Sequence, residues 1–154
     1  MPPLAVKDAR SLKEFVGREI GVTEWFCLSQ ERIEKFAVAT EDHQWIHVDR
    51  ERASKESPYG ATIAHGFLTL SLISHLLKEL IQIQSGVRLA VNYGLNRVRF
   101  PAAVRADSRI RARVGLLALK ELAESVEATY VVTIEIEHSE KPGCVAEWIV
   151  RYYK

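Results

Sequence analysis

The stretch from Ile63 to Ile83 most constrains what this chain can fold into. Ile63, Phe67, Leu68, Leu70, Leu72, Ile73, Leu76, Leu77, Leu80 and Ile81 recur at helical spacing and cover nearly every side of one long helix. A helix that is apolar all round is stable only when something wraps it. A membrane is a poor wrapper here, because His65, Ser71, Ser74, His75, Lys78, Glu79 and Gln82 interrupt the run. A membrane span needs about 20 predominantly apolar residues, with charges kept from its centre. The cover must come from the protein itself.

The second half of the chain supplies it. Leu89 to Phe100 reads as an extended run ending at Pro101. Arg109, Arg111 and Arg113 alternate with Ile110, Ala112 and Val114, and Val132, Ile134 and Ile136 alternate with Thr133, Glu135 and Glu137. A period of two marks half-buried strands. Val145–Tyr153 is a last strand, and Gly21–Leu28 an early one. The expectation is an α+β fold of about five antiparallel strands whose apolar face curls round the long helix, the hotdog arrangement. The rest of the first half reads as helical. Ser29 offers an N-cap for a helix through Ile33, Phe36 and Ala37 that ends near Thr40, Asp49 caps a short helix over 50–55, and Pro58-Tyr59-Gly60 reads as a turn. With no repeat and no low-complexity linker, residues 1–154 read as a single domain.

Charge and cysteine content narrow the functional classes. The 21 Lys+Arg against 20 Asp+Glu leave a net charge of +1, so no overall field draws the chain to nucleic acid or to an anionic membrane. Two cysteines, Cys27 and Cys144, make neither a disulfide scaffold nor a spaced metal motif. Residues 1–14 lack the apolar run of a signal peptide, so a cytoplasmic location is expected. Locally the charge is uneven. Six arginines and one acid lie between Arg97 and Arg113, and six glutamates without a single Lys or Arg between Glu121 and Glu140. The alternation of Arg109, Arg111 and Arg113 is what cross-strand ion pairs on a solvated sheet face require. Arg97 and Arg99 fit that role and the alternative, holding the phosphates of an anionic ligand, about equally.

Candidate chemistry concentrates between residues 36 and 70. His43, His47, His65 and His75 lie within 33 residues. Asp42 and His47 stand five apart, a spacing that fits neither one helical face nor one strand face, so they converge only if the chain between them is kinked; spacing alone favours a turn-capping Asp42 and a hydrogen-bonded structural His47. His43 and His47, four apart, could share a helical face and hold a metal with Asp42 or Asp49, although no glutamate or cysteine completes a known motif. Gly66 falls near the start of the long helix, where the first backbone N–H groups lack partners and the dipole favours negative charge. A glycine there lets a ligand approach the backbone closely, or simply lets the helix pack tightly. An acid, a histidine and a donor-rich helix start are the parts of an acid–base site for a carbonyl compound.

The run Phe36-Ala-Val-Ala-Thr-Glu-Asp-His-Gln-Trp-Ile-His-Val-Asp-Arg-Glu-Arg-Ala53 resembles the hydratase motif of the MaoC-like dehydratases, the (R)-specific enoyl-CoA hydratases of hotdog fold. Asp42, Ile46, His47 and Ala53 fall on the motif positions. The Asp-His-Gln-Trp-Ile-His variant is similar to the branch related to nodulation protein N. The likeness continues through Thr62-Ile-Ala-His-Gly-Phe-Leu-Thr-Leu-Ser71 and Asn96-Arg-Val-Arg-Phe-Pro101. One departure stands out: Glu41 occupies the place where the family usually has glycine.

The resemblance implies roles. Asp42 and His47 would activate the water that adds to C3 of a trans-2-enoyl thioester and carry its proton to C2, or dehydrate an (R)-3-hydroxyacyl thioester in reverse. The Gly66 N–H would receive the enolate oxygen. Acyl-CoA or an acyl-carrier-protein thioester would be the substrate, with no metal or redox cofactor. Arg97 and Arg99 would meet its phosphates, and the acyl chain would run beside the long helix, where Leu68, Leu72 and Trp45 are candidate lining but more readily core. Open strand edges and the family likeness both point to a homodimer. Two alternatives remain: a hotdog acyl-CoA thioesterase, which would not need the Asp42–His47 pair, and a non-catalytic acyl-thioester-binding protein, which Glu41 makes credible.

Overall fold

A computed structural model describes residues 2–154. After Leu4–Val6 (β1) and a 3-10 turn at Ala9–Phe15, the chain forms Arg18–Val22 (β2) and Phe26–Leu28 (β3). Three helices follow, Gln30–Thr40 (α1), Trp45–Val48 (α2) and Arg50–Glu56 (α3). Then come Gly66–Ser71 (α4), Ile73–Leu77 (α5) and Ile81–Ile83 (β4), and finally the strands Leu89–Arg99 (β5), Ser108–Glu121 (β6), Ser125–Ile136 (β7) and Cys144–Tyr153 (β8). Among the described residues the main sheet has six strands in the order β2-β6-β7-β8-β5, with β3 also on β6. All its pairings are antiparallel.

The inward residues of β6, β7 and β8 build one wall of the core. Ile110, Ala112, Val114, Leu116, Ala128, Tyr130, Val132 and Ile134 are buried against Leu68, Leu72, Ile73, Leu76 and Leu77 of the helix. Burial of that kind is the main stabilising term of such a fold, at about 25 cal/mol per Å² of apolar surface. On the outer face the expected charge pairs are present. Arg109 binds Glu137 at 2.9 Å, Arg111 binds Glu135 at 2.6 Å, and Arg113 binds Glu135 at 2.8 Å and Glu19 at 2.9 Å.

The caps are where the sequence puts them. Ser29 Oγ accepts the Arg32 N–H at 3.3 Å, Asp49 Oδ1 accepts the Arg52 N–H at 2.9 Å, and Gly60 turns with φ +67.

The central helix differs from expectation. It begins at Gly66 rather than Ile63, because Ile63 and Ala64 are extended: Ile63 bridges Arg105 and the Ala64 N–H donates to Val104 O. It passes through Leu72, whose N–H reaches Leu68 O at 3.1 Å, and loosens after Leu77. Ile81–Ile83 leaves it altogether as β4, which pairs in parallel with β1. Nor is it wrapped on every side, since Phe67 is 71% exposed. The early strand likewise divides into β2 and β3, with a register shift between Glu19 and Gly21.

β5 is an end strand of the sheet, and its residues are exposed along most of its length. Leu89, Val91, Tyr93 and Leu95 present apolar side chains to solvent at alternate positions. No helix among the described residues is long and apolar enough to cross a membrane.

Candidate active site

The site begins where α1 stops. At Glu41 the backbone takes φ 60 and ψ 16, the left-handed conformation that ends many helices and usually falls to glycine. Outside glycine it costs roughly 1–2 kcal/mol. The turn throws Asp42 off the helix axis, and Asp42 Oδ1 accepts the Gln44 N–H at 3.4 Å. α2 then starts at Trp45 and carries His47 back inward. This break reconciles the five-residue spacing with convergence. It also removes His43 from any helical face shared with His47: His43 lies exposed in the segment between the helices.

His47 is 8% exposed, and its Nδ1 faces the carbonyl of Ile63 at 2.7 Å. A carbonyl only accepts, so Nδ1 carries the proton and Nε2 is left as the basic nitrogen. The ring is held from behind as well. The His47 carbonyl accepts from Gln30 Nε2 at 2.9 Å, and Thr62 Oγ1 donates to Gln30 Oε1 at 2.5 Å. Burial pushes the His47 ring below the ordinary histidine value of 6.5, and the neighbouring His65 adds to the depression. The hydrogen bond to Ile63 and the Asp42 charge oppose it.

A carboxylate oxygen of Asp42 and ring nitrogens of His47 and His65 lie within 4.8 Å of one another. The cluster is thus Asp42, His47 and His65, and His43 has no part in it. His65 caps α4, so the next residue, Gly66, opens the helix that continues through Leu72 to Leu77. The first N–H groups of that helix have no intrahelical partner. A Cβ at Gly66 would stand 3.2 Å from the ring of Phe100, which is tighter than ordinary packing. Glycine therefore lets the Phe100 ring pack directly against the helix start.

Arg97 and Arg99 lie outside the Asp42 cluster. They are exposed on β5, Arg97 opposite Glu147, and the Arg99 guanidinium donates to the Val98 carbonyl at 2.7 Å. Their link to the site is through Phe100, which follows Arg99 and packs on Gly66. Leu68 and Leu72 belong to the core, at 5% and 6% exposure, and Trp45 stacks under Arg52. A groove does run along the helix, on another side. A cavity of about 460 Å³ between α5 and the β5–β8 pair adjoins one of about 280 Å³ beside α4, and both share Ser74, Asn92 and Trp148.

Sequence reasoning named His65 only as one of four clustered histidines and gave no role to three residues that pack at this site. Gln30, Thr62 and His65 are polar residues that become fully buried, and nothing in their spacing announces it. Only the position of His65, immediately before the helix-opening Gly66, gave a signal.

Residues 11–137 match the family model described as MaoC like domain. The chain is 51% identical over 147 residues to 3-hydroxyacyl-thioester dehydratase Z of Mycobacterium tuberculosis, covering 95% of this chain and 96% of that protein. It is 46% identical over 135 residues to nodulation protein N of Rhizobium leguminosarum bv. viciae, covering 87% and 84%. Among solved structures, one described as the monoamine oxidase regulatory protein of Archaeoglobus fulgidus superposes with a TM-score of 0.77 at 23% identity, covering 100% of this chain and 99% of that one. With its hotdog sheet and helix, the chain belongs to the MaoC-like dehydratase family of enzymes.

Proposed function

We propose that the protein hydrates trans-2-enoyl thioesters to (R)-3-hydroxyacyl thioesters and dehydrates them in reverse. The observation that carries this reading is the meeting of the Asp42 carboxylate and the buried His47 ring within 4.8 Å, next to the helix start at Gly66. The relative named 3-hydroxyacyl-thioester dehydratase, similar over nearly the whole chain, supports the same reaction class.

The geometry suits the steps. His47 Nε2 is free to take a proton because Nδ1–H is committed to Ile63 O. Asp42, more than half exposed, can hold the same water from its other side. The water oxygen bonds to C3 of the enoyl group, and the electrons of the double bond move through C2 to the thioester oxygen. The Gly66 N–H, at the positive end of the helix, receives that oxygen; one such donor lowers a barrier by about 3 kcal/mol. The proton taken from the water then passes to C2, and the thioester oxygen reverts to a carbonyl. Water and substrate provide every reacting atom, so the reaction calls for no cofactor.

The groove along α4 and α5 suits the acyl chain, and Arg97 and Arg99 suit the phosphates of coenzyme A or of a carrier-protein arm. We place a second copy of the chain against β5. That strand has an open edge among the described residues and four exposed apolar side chains in alternation. Open edges of this kind are usually paired or covered.

The test is to mix the purified protein with crotonyl-CoA and with a longer trans-2-enoyl-CoA, following loss of the conjugated double bond and resolving the product stereochemistry. Formation of the (R)-3-hydroxyacyl product supports the reading. Release of free coenzyme A would replace it with thioester hydrolysis. Binding without turnover of either substrate would make the protein a non-catalytic acyl-thioester binder.

A further inference from the structure

His65 has more contacts with the site than a helix cap requires. It is 3% exposed, and its Nε2 lies 3.0 Å from the backbone carbonyl of Asp42. Because a carbonyl only accepts, Nε2 carries the proton in the neutral ring. The ring lies along that of His47, with centroids 3.8 Å apart and planes 25° from parallel. Phe36 packs on it as well, with centroids 4.9 Å apart. Its own carbonyl accepts the N–H groups of Leu68 and Thr69, which fixes the first turn after Gly66.

The other ring nitrogen, Nδ1, is buried and has no hydrogen-bond partner among the described residues. Leaving a buried acceptor unpaired costs stability, because the desolvation of that group goes uncompensated. Phenylalanine would fill the space without that cost. The imidazole therefore earns its place through what Nε2 and the ring faces hold, and these are the Asp42 backbone and the rings of His47 and Phe36.

Chelation explains the trio less well. An ion shared by two imidazoles sits about 2 Å from each nitrogen and close to both ring planes. Stacked rings aim their in-plane lone pairs along nearly parallel planes, and Nε2 of His65 is already committed to Asp42 O.

We propose that His65 is a positioning residue for the hydration reaction, holding Asp42 by its backbone and His47 by its ring face relative to the N-terminus of α4. The proposal rests on the hydratase reading above. The hydrogen bond to Asp42 is the decisive contact, because Asp42 follows the left-handed Glu41 and Gln44 is its only other anchor given by a hydrogen bond among the described residues.

Two substitutions separate the contacts. His65→Phe keeps the stacking and bulk but loses the donor. His65→Gln keeps a donor near the Nε2 position and loses the stacking. With trans-2-enoyl-CoA as substrate, His65→Phe is expected to lower kcat by about ten- to hundredfold, as small misplacements of catalytic groups do. KM should stay within about threefold, because substrate contacts are untouched. His65→Gln should recover most of the loss.

Amide hydrogen exchange over residues 41–47 supplies a readout independent of turnover. It should accelerate in His65→Phe and return towards wild type in His65→Gln. Wild-type kcat and wild-type exchange in His65→Phe would overturn the proposal. So would a kcat loss in both variants that merely tracks a fall in melting temperature. If the wild-type protein itself turns over no enoyl thioester, the hydratase reading fails, and the exchange experiment still decides whether His65 anchors Asp42.

Discussion

The Nδ1 of His47 lies 2.7 Å from the carbonyl oxygen of Ile63, just ahead of the helix that Gly66 opens. That bond sets the tautomer, and burial of the ring sets its charge: His47 is held below 6.5 mainly by desolvation. In the hydratase reading proposed above His47 is the base, and it works while neutral. The value of kcat/KM should therefore be flat above the ordinary histidine range and fall on acidification with a midpoint below 6.5. A pH–rate profile measured from pH 4.5 to 8.5 checks this, and an acid limb centred above 6.5 would contradict it.

The same depression has a consequence for stability. Between 6.5 and the lower folded value, the unfolded chain binds a proton at His47 that the folded chain does not, so this group makes stability rise with pH. Its contribution should be constant above about pH 6.5 and diminish as pH drops through that window. Chemical denaturation of the wild type and of His47→Gln at several pH values would show the difference. Identical slopes in both would mean that His47 does not carry it.

Replacing the pair directly tests the site. Asp42→Asn and His47→Gln should each reduce turnover by about a hundredfold or more, the scale of a lost general acid–base group. Asp42→Asn should leave the melting temperature nearly unchanged, because that side chain is 55% exposed. Near wild-type kcat in either variant would move the chemistry elsewhere.

Glu41 should be replaceable to advantage. At φ 60 it bears a strain that glycine does not. Glycine also gives the unfolded chain more freedom, which offsets part of the relief. Glu41→Gly is expected to stabilise the fold by about 0.5–1 kcal/mol, read from a denaturation midpoint, with hydration retained. A large loss of activity in a well-folded variant would show that the carboxylate itself is used.

Gln30 joins two buried partners, the His47 carbonyl and the Thr62 hydroxyl. Gln30→Leu would leave both without it in a buried setting, at about 2–3 kcal/mol. For a chain of this size that corresponds to a fall of roughly 4–12 °C in Tm. A melting curve settles it.

The sequence by itself determined a good deal. Period-two alternation in β6 and β7, the caps Ser29 and Asp49, and the apolar stretch centred on Leu72 fix an antiparallel sheet over a helix, because each is a local pattern with one economical burial. Asp42, His47 and Gly66 were named through the family motif and not through spacing, and their roles stay a proposal, whereas the ladder of Arg109, Arg111 and Arg113 against glutamates followed from alternation. What only the tertiary structure decided is non-local. Ile63 and Ile81 look helical, yet Ile63 bridges Arg105 across the chain and Ile81 pairs in parallel with Leu4. Each gains strand-type partners that helical periodicity does not reveal. His65 is separated from Asp42 by 23 residues and from Phe36 by still more, so its contacts depend on how α1, α2 and α4 pack together. Spacing along a chain predicts the neighbours of one helix or one strand; which rings stack across three elements is fixed only when those elements close on a common core.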